Sequence, residues 1–138
     1  MGKKFGLFSI FVLLSSLVIT ACSGGGGASQ GSTSIQATMN EFAYTPNTWT
    51  VPAGQKITVT LTNKGTVEHD WVLMKEPVTP PFSSANQPNV IFSAKVAAGA
   101  TDVVSFTAPS SAGEYEVVCD VSGHLEAGMS GKLTVVQP

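Results

Sequence analysis

The chain has 138 residues, of which 43% are hydrophobic and 12% are charged, and its formal net charge is −2. This length suits one domain with its own core and leaves little room for a second. The many Val and Thr residues favour strands over helices, and no segment has the length and periodicity of an amphipathic helix. Without an excess of basic residues, nucleic acid is not expected as a partner.

The N-terminal segment has the pattern of a bacterial lipoprotein leader. Lys3 and Lys4 precede an apolar run over residues 5–19, which is too short for a typical spanning helix and predicts a signal peptide over residues 1–21. The next residues, Ile-Thr-Ala-Cys at 19–22, resemble a lipobox, so we expect Cys22 to be lipidated and the chain to be exported and anchored to the outer face of the cytoplasmic membrane. The alternatives are an ordinary cysteine after a membrane anchor or a disulfide partner for Cys119.

Residues 22–34 are rich in Gly and Ser and predict a flexible tether, followed by one folded domain over residues 35–138. Removal of Lys3 and Lys4 with the leader leaves five of the seven basic residues against nine acidic ones, a net charge of −4. If Cys22 carries lipid, Cys119 is the only remaining thiol in an oxidising compartment. An unpaired thiol in that setting requires a specific role.

Short apolar runs separated by turn signals predict strands throughout the folded domain. In the clearest run, Ile57, Val59 and Leu61 share one face and three threonines share the other. The predicted strands cover residues 34–40, 57–62, 67–73, 90–96, 101–107, 113–119 and 131–136, with turns at 51–55 and 63–65. Four prolines make residues 75–89 a loop, with room for a helical turn. Seven to eight such strands predict an all-β, two-sheet sandwich.

Four residues in the second half of the chain form a candidate copper site. Cys119, His124 and Met129 follow one another with four residues between each pair, and His69 lies fifty residues before Cys119 at a predicted strand. A thiolate, two imidazoles and a weak thioether are the ligands of blue-copper electron-transfer sites. The sulfur ligands favour Cu(I) and the imidazoles also suit Cu(II). The geometry of a rigid site with these ligands therefore changes little when the copper gains or loses an electron. Each residue alone is more often structural, but together they predict one copper ion.

The segment from Cys119 to Met129 resembles the copper loop of the cupredoxin family, the type 1 blue copper proteins that include plastocyanin, azurin and auracyanin. The resemblance covers roughly residues 35–136, and the run from His69 to Leu73 is most similar to the auracyanin pattern. It implies a cupredoxin-like Greek-key sandwich in which His69, Cys119 and His124 are equatorial ligands and Met129 is axial. It also implies a monomeric carrier that exchanges single electrons with redox proteins and is not an enzyme.

One position departs from the family pattern. The residue after the first histidine is usually Asn, whose side chain ties the two ligand loops together, and here it is Asp70. A carboxylate accepts hydrogen bonds but donates none unless it is protonated. Asp70 is therefore expected to contact the ligands while differing from Asn in how it orients them.

Two other function classes are weaker on the sequence. A multicopper enzyme needs histidines beyond the two in this chain, and a catalytic zinc site keeps an open position, which Met129 is placed to cap. The second class is copper storage or delivery, which favours exposed, methionine-rich ligands. Met39 and Met74 are instead expected to pack in the core, so storage or delivery is the runner-up.

The copper loop also predicts a place for electron exchange. By similarity to cupredoxins, the ring edge of His124 is expected to reach the surface within an apolar rim formed by Gly123, Leu125, Ala127 and Gly128. Such a rim desolvates easily and suits brief encounters with a redox partner.

Overall fold

A computed structural model of the chain describes residues 1–2 and 30–138. Most of the predicted leader, together with Cys22, lies outside the described residues. Within residues 1–2 and 30–138, no helix is long and apolar enough to cross a membrane. The described residues contain one 3-10 helix, Ser84–Asn89, and nine strands: β1 Ser34–Asn40, β2 Ala43–Thr45, β3 Thr48–Pro52, β4 Lys56–Asn63, β5 His69–Met74, β6 Val90–Val96, β7 Thr101–Thr107, β8 Gly113–Val118 and β9 Ser130–Val136.

The strands form two sheets, which confirms the predicted all-β sandwich. One sheet has the order β2-β1-β4-β7 and the other the order β3-β9-β8-β5-β6. Strand β1 runs parallel to β4, and β3 runs parallel to β9, whereas the other neighbours are antiparallel. Strands β1, β6 and β7 have the predicted bounds.

Two strands were not predicted. Strand β2 has only three residues, and β3 includes Val51 and Pro52, which the sequence assigned to a turn. Proline lacks the N–H that a central strand must donate. Because β3 is the edge strand of its sheet and ends at Pro52, the missing donor interrupts no central ladder there.

The main core lies between the sheets, and the alternation along β4 explains why. Ile57, Val59 and Leu61 are fully buried, whereas the threonines between them are partly exposed. Apolar area removed from water in this way stabilises the fold by about 25 cal/mol per Å². The ring of Trp71 lies at the centre of this core, 5.6 Å from the ring of Trp49.

A second cluster covers the outer face of β5, where Val72 and Met74 are fully buried. Its other buried members are Val78, Val118 and Leu125. The proline-rich loop supplies Val78, whose N–H donates to Oε2 of Glu116 over 2.7 Å. The proline-rich segment is a loop with one helical turn, as predicted. It folds over β5 and ends in the 3-10 helix, so that β5 is buried on both faces.

Candidate metal centre

Neighbouring strands deliver the predicted ligands to one end of the sandwich. His69 is the first residue of β5, and Cys119 directly follows β8. These strands are antiparallel, with Val72 opposite Val118, so the start of β5 lies beside the end of β8. His124 and Met129 follow in the turns between β8 and β9.

Backbone hydrogen bonds fold the loop between β8 and β9 back on itself. The Met129 N–H donates to the His124 carbonyl over 3.0 Å, and the Cys119 N–H donates to the Met129 carbonyl over 3.2 Å. Gly128 has a φ of +97°, a conformation that residues with a Cβ rarely adopt. The glycine before Met129 therefore allows the sharp turn that returns the chain to Cys119.

Three donor atoms converge at this end of the sandwich. Nδ1 of His69 and Nδ1 of His124 are 3.2 Å apart, and the Cys119 Sγ lies 3.4 Å from Nδ1 of His124. The three ligand atoms all lie within 4.8 Å of one another. Nitrogen and sulfur donors bind metals at about 2.0 to 2.3 Å, so these separations suit three atoms that share one ion.

Burial sets the protonation of these ligands. His69 and Cys119 are fully buried and His124 is only 7% exposed. Burial, together with the neighbouring His124 ring, lowers the pKa of His69 and so favours the neutral, metal-binding form at pH 7. Burial also raises the pKa of the Cys119 thiol. Metal binding at this site must therefore release the thiol proton.

Met129 is fully buried and belongs to the same hydrophobic cluster as Cys119. Its backbone contacts to both Cys119 and His124 fix the chain beside the two ligands. Its axial role stays a prediction.

Asp70 lies at the junction of the ligand segments. Its N–H approaches the Cys119 Sγ at 3.4 Å, and its Oδ2 accepts from Lys95 Nζ over 2.8 Å. Burial, and then the nearby Asp120 carboxylate, raise the pKa of Asp70 to about 7, against the opposing effect of Lys95. The backbone of Asp70 thus links β5 to the sulfur ligand, while its side chain is held by a lysine of β6.

Two residues missed by the sequence analysis cover the histidines. Glu41 and Phe42 form the turn between β1 and β2. Glu41 Oε1 is 3.8 Å from Nε2 of His69, and the Phe42 ring meets the His124 ring edge-on with 5.1 Å between centroids. They lie far from the ligands in sequence, and a single acid beside a single aromatic residue has no metal-binding pattern of its own.

The predicted position of Leu125 in the apolar rim is wrong. Leu125 is only 5% exposed and packs in the second cluster on β5, because the loop turns its side chain back onto Val72 and Val118. Gly123, Ala127 and Gly128 are exposed, as expected of the rim. Phe42, at 43% exposure, is the large apolar side chain beside His124.

Comparison with known proteins agrees with this geometry. A family model described as a cupredoxin-like domain matches residues 9–135. Auracyanin-A of Chloroflexus aurantiacus is 33% identical over 146 aligned positions, which cover 86% of this chain and 89% of that protein. The copper-resistant cuproprotein CopI of Rubrivivax gelatinosus is 30% identical over 122 positions, which cover 80% of this chain and 70% of that protein.

Among solved structures, reduced auracyanin from Roseiflexus castenholzii matches with a TM-score of 0.66 and 31% identity, over 77% of this chain and 98% of that one. The family match, the two relatives and this structural likeness agree with the resemblance drawn from the residues. The chain belongs to the cupredoxin-like family.

Proposed function

We propose that this chain carries one electron at a time on a single blue copper ion, alternating between its Cu(I) and Cu(II) forms. The observation that carries the proposal is the convergence of two imidazole nitrogens and one thiol sulfur from three buried residues. The ligand set of one Cys and two His, with a Met nearby, is that of blue-copper electron carriers. Copper supplies the one-electron chemistry when it is bound.

The protein contributes rigidity and exclusion of water. Two neighbouring strands hold His69 and Cys119, and the hydrogen-bonded turns hold His124, so the ligand atoms are fixed by backbone structure. Burial of all three ligands leaves no wide opening at the site. A buried, rigid site suits electron transfer, in which the ligand positions should change little between the two oxidation states.

The same burial favours a carrier over an enzyme. A cavity of about 520 Å³ lies elsewhere on the described part of the chain, with Asn47, Glu114 and Lys132 in its wall and none of the four proposed ligands. A copper or zinc enzyme needs a position at its metal that substrate or water can reach. The burial of the proposed ligands does not favour such a position.

The proposed cellular location and partners of the domain rest on the sequence. Cys22 carries lipid and holds the exported domain at the outer face of the cytoplasmic membrane through the Gly- and Ser-rich tether. The domain acts as a monomer, and its partners are membrane-associated redox proteins that donate and accept the electron. The rim formed by Gly123, Ala127 and Gly128 with Phe42 is the proposed exchange surface.

Copper storage or delivery is the second candidate, because one relative is named a copper-resistant cuproprotein. Delivery requires ligands that a second protein can reach, whereas the ligands here are buried. Met39 and Met74 are also fully buried in the two clusters, as the sequence predicted, and do not form an exposed copper-binding surface.

The visible spectrum of the full chain in detergent, loaded with copper, tests the proposal. We expect an intense blue colour that a mild reductant bleaches and an oxidant restores, with bound copper that resists a chelator for hours. A colourless copper complex would contradict the electron-carrier function. Complete loss of copper to the chelator within minutes would favour delivery instead.

A further inference from the structure

The turn between β1 and β2 places a carboxylate beside the outer nitrogen of one histidine ligand. Nδ1 of His69 faces the other ligands, and its second ring nitrogen, Nε2, is buried without a hydrogen-bond partner. Glu41 Oε1 lies 3.8 Å from this nitrogen. A buried ring nitrogen rarely lacks a hydrogen-bond partner, because leaving it unsatisfied is costly. The carboxylate next to this nitrogen is therefore the group to consider as its partner.

The position of this carboxylate is fixed from the opposite side. Glu41 Oε1 accepts hydrogen bonds from the Thr66 N–H and, over 3.0 Å, from the Thr66 hydroxyl. Hydrogen bonds donated to a carboxylate oxygen favour its charged form, so Glu41 carries its negative charge at neutral pH. A Lys64 N–H bond to the Met39 carbonyl, 2.9 Å long, joins the two backbone segments next to the contact.

Gly65 provides the space in which the two groups meet. A methyl group built on Gly65 would lie 2.7 Å from both Glu41 Oε1 and His69 Nε2, which is closer than real contacts allow. Asn63 holds this glycine in place, because its Oδ1 accepts from the Gly65 N–H while its amide donates to the Val67 and Val96 carbonyls. The loop before β5 is therefore shaped around the approach of Glu41 to His69.

From this geometry we propose that Glu41 is a positioning residue for His69 that lowers the reduction potential of the copper site. The inference rests on the proposed function. With Nδ1 used for the metal, the proton of a neutral imidazole lies on Nε2, where Glu41 faces it. A carboxylate behind a ligand histidine fixes the tautomer and ring orientation and makes the imidazole a stronger donor. Its negative charge also stabilises Cu(II) relative to Cu(I).

Glu41→Gln tests the proposal with little change in shape, because the glutamine keeps an oxygen for the Thr66 hydrogen bonds and loses only the charge. The matched control is Glu68→Gln, which removes the same charge from the residue next to His69. Glu68 is half exposed and pairs with Lys95 at 3.6 Å, away from the ring nitrogen. Both variants are made in the full chain and measured by voltammetry at low and high salt.

We expect Glu41→Gln to shift the Cu(I)/Cu(II) equilibrium about tenfold toward Cu(I), a rise of about 59 mV for one electron. Part of this rise should remain at high salt, because the Glu41 side chain is 33% exposed and faces a fully buried ring. Glu68→Gln should produce a smaller rise that salt removes.

Nitrogen NMR of the diamagnetic Cu(I) protein gives a second readout. The His69 Nε2–H should exchange slowly with solvent in the parent chain and faster in Glu41→Gln, with no change in Glu68→Gln. A blue parent chain in which Glu41→Gln moves neither the potential nor this proton more than Glu68→Gln does would overturn the role of Glu41 alone. A chain that takes up no copper would overturn this role together with the proposed function.

Discussion

The Cys119 sulfur is enclosed by protein groups that position it for a metal. It is fully buried, with the Asp70 N–H at 3.4 Å and the His124 Nδ1 at the same distance. Burial raises the pKa of its thiol, so the free thiol is neutral and poorly reactive at pH 7. A bound cation would displace that proton and stabilise the thiolate, so we expect Cys119 to be the ligand that is hardest to replace.

Cys119→Ser should abolish the blue colour, because a hydroxyl cannot supply the sulfur-to-copper charge transfer that gives the intense visible band. The serine fits the same volume, so the copper-free variant should keep its fold. The measurement is a copper titration followed by visible absorbance, with circular dichroism to check folding. Retention of the blue band by a folded serine variant would show that the thiolate assignment is wrong.

Met129→Gln should lower the reduction potential. A thioether stabilises Cu(I) relative to a harder oxygen donor, and Met129 is fully buried beside Cys119, where an amide oxygen at the same position would favour Cu(II). Voltammetry of the two proteins at one pH measures the change. A potential that stays constant or rises would count against the axial role of Met129, and Met39→Gln, in the core, serves as a control for general destabilisation.

At the scale of elements, the strands carrying the ligands were predictable and the turns covering them were not. The predicted bounds of β5 and β8 lie within about two residues of the observed ones, because short apolar runs between turn signals need only neighbouring residues to be recognised. Strand β3 was missed because Pro52 is a turn signal unless the strand is known to lie at an edge. The contacts of Glu41 and Phe42 with the histidines depend on how the two sheets pack, which no local pattern contains.

In the loop between β8 and β9, the identity of the ligands was predictable from the sequence, but the direction of a neighbouring side chain was not. The spacing of Cys119, His124 and Met129 indicated the ligand set, because chemistry restricts which residues serve as ligands. The direction of Leu125 was predicted wrongly, because a loop without a regular period gives no rule for which side chains face inward. It packs in one cluster with Val78, which reaches β5 only through the fold of the proline-rich loop.

Phe42 and Leu125 should therefore respond differently to substitution. Phe42→Lys places a charge at the exposed apolar side chain beside His124 and should slow electron exchange with the redox partner several-fold, with the blue colour retained. Stopped-flow rates at low partner concentration measure the effect. Phe42→Leu, which keeps the surface apolar, is the matched control.

Leu125→Ala should instead lower the free energy of unfolding by about 2 to 5 kcal/mol, as for other buried leucines, and change the exchange rate little. Chemical denaturation measures the stability of both variants. If Phe42→Lys exchanges electrons at the parent rate, the exchange surface lies elsewhere on the domain.

For the whole molecule, we expect two parts of the chain to have separate tasks. The sandwich holds the ligands at one end, and the described chain joins it where the Ser32 N–H donates to the Thr50 carbonyl over 2.8 Å. Before that point the sequence predicts a Gly- and Ser-rich tether that starts at Cys22. A flexible linker does not couple the structures at its two ends. Anchoring and electron transfer should therefore be separable by mutation.

Cys22→Ser tests that separation in the intact organism. A lipid anchor depends on the cysteine sulfur, so the serine variant should leave the membrane fraction and appear in the soluble extracytoplasmic fraction or the medium. Its visible spectrum and reduction potential should equal those of the parent chain, because the predicted tether separates position 22 from the proposed copper site. Electron delivery to a membrane-bound partner should nevertheless fall, since the tether no longer keeps the domain at a high effective concentration near the membrane. Unchanged membrane fractionation of the Cys22→Ser protein would contradict lipidation at this cysteine, and an altered spectrum would show that the two parts of the chain are coupled.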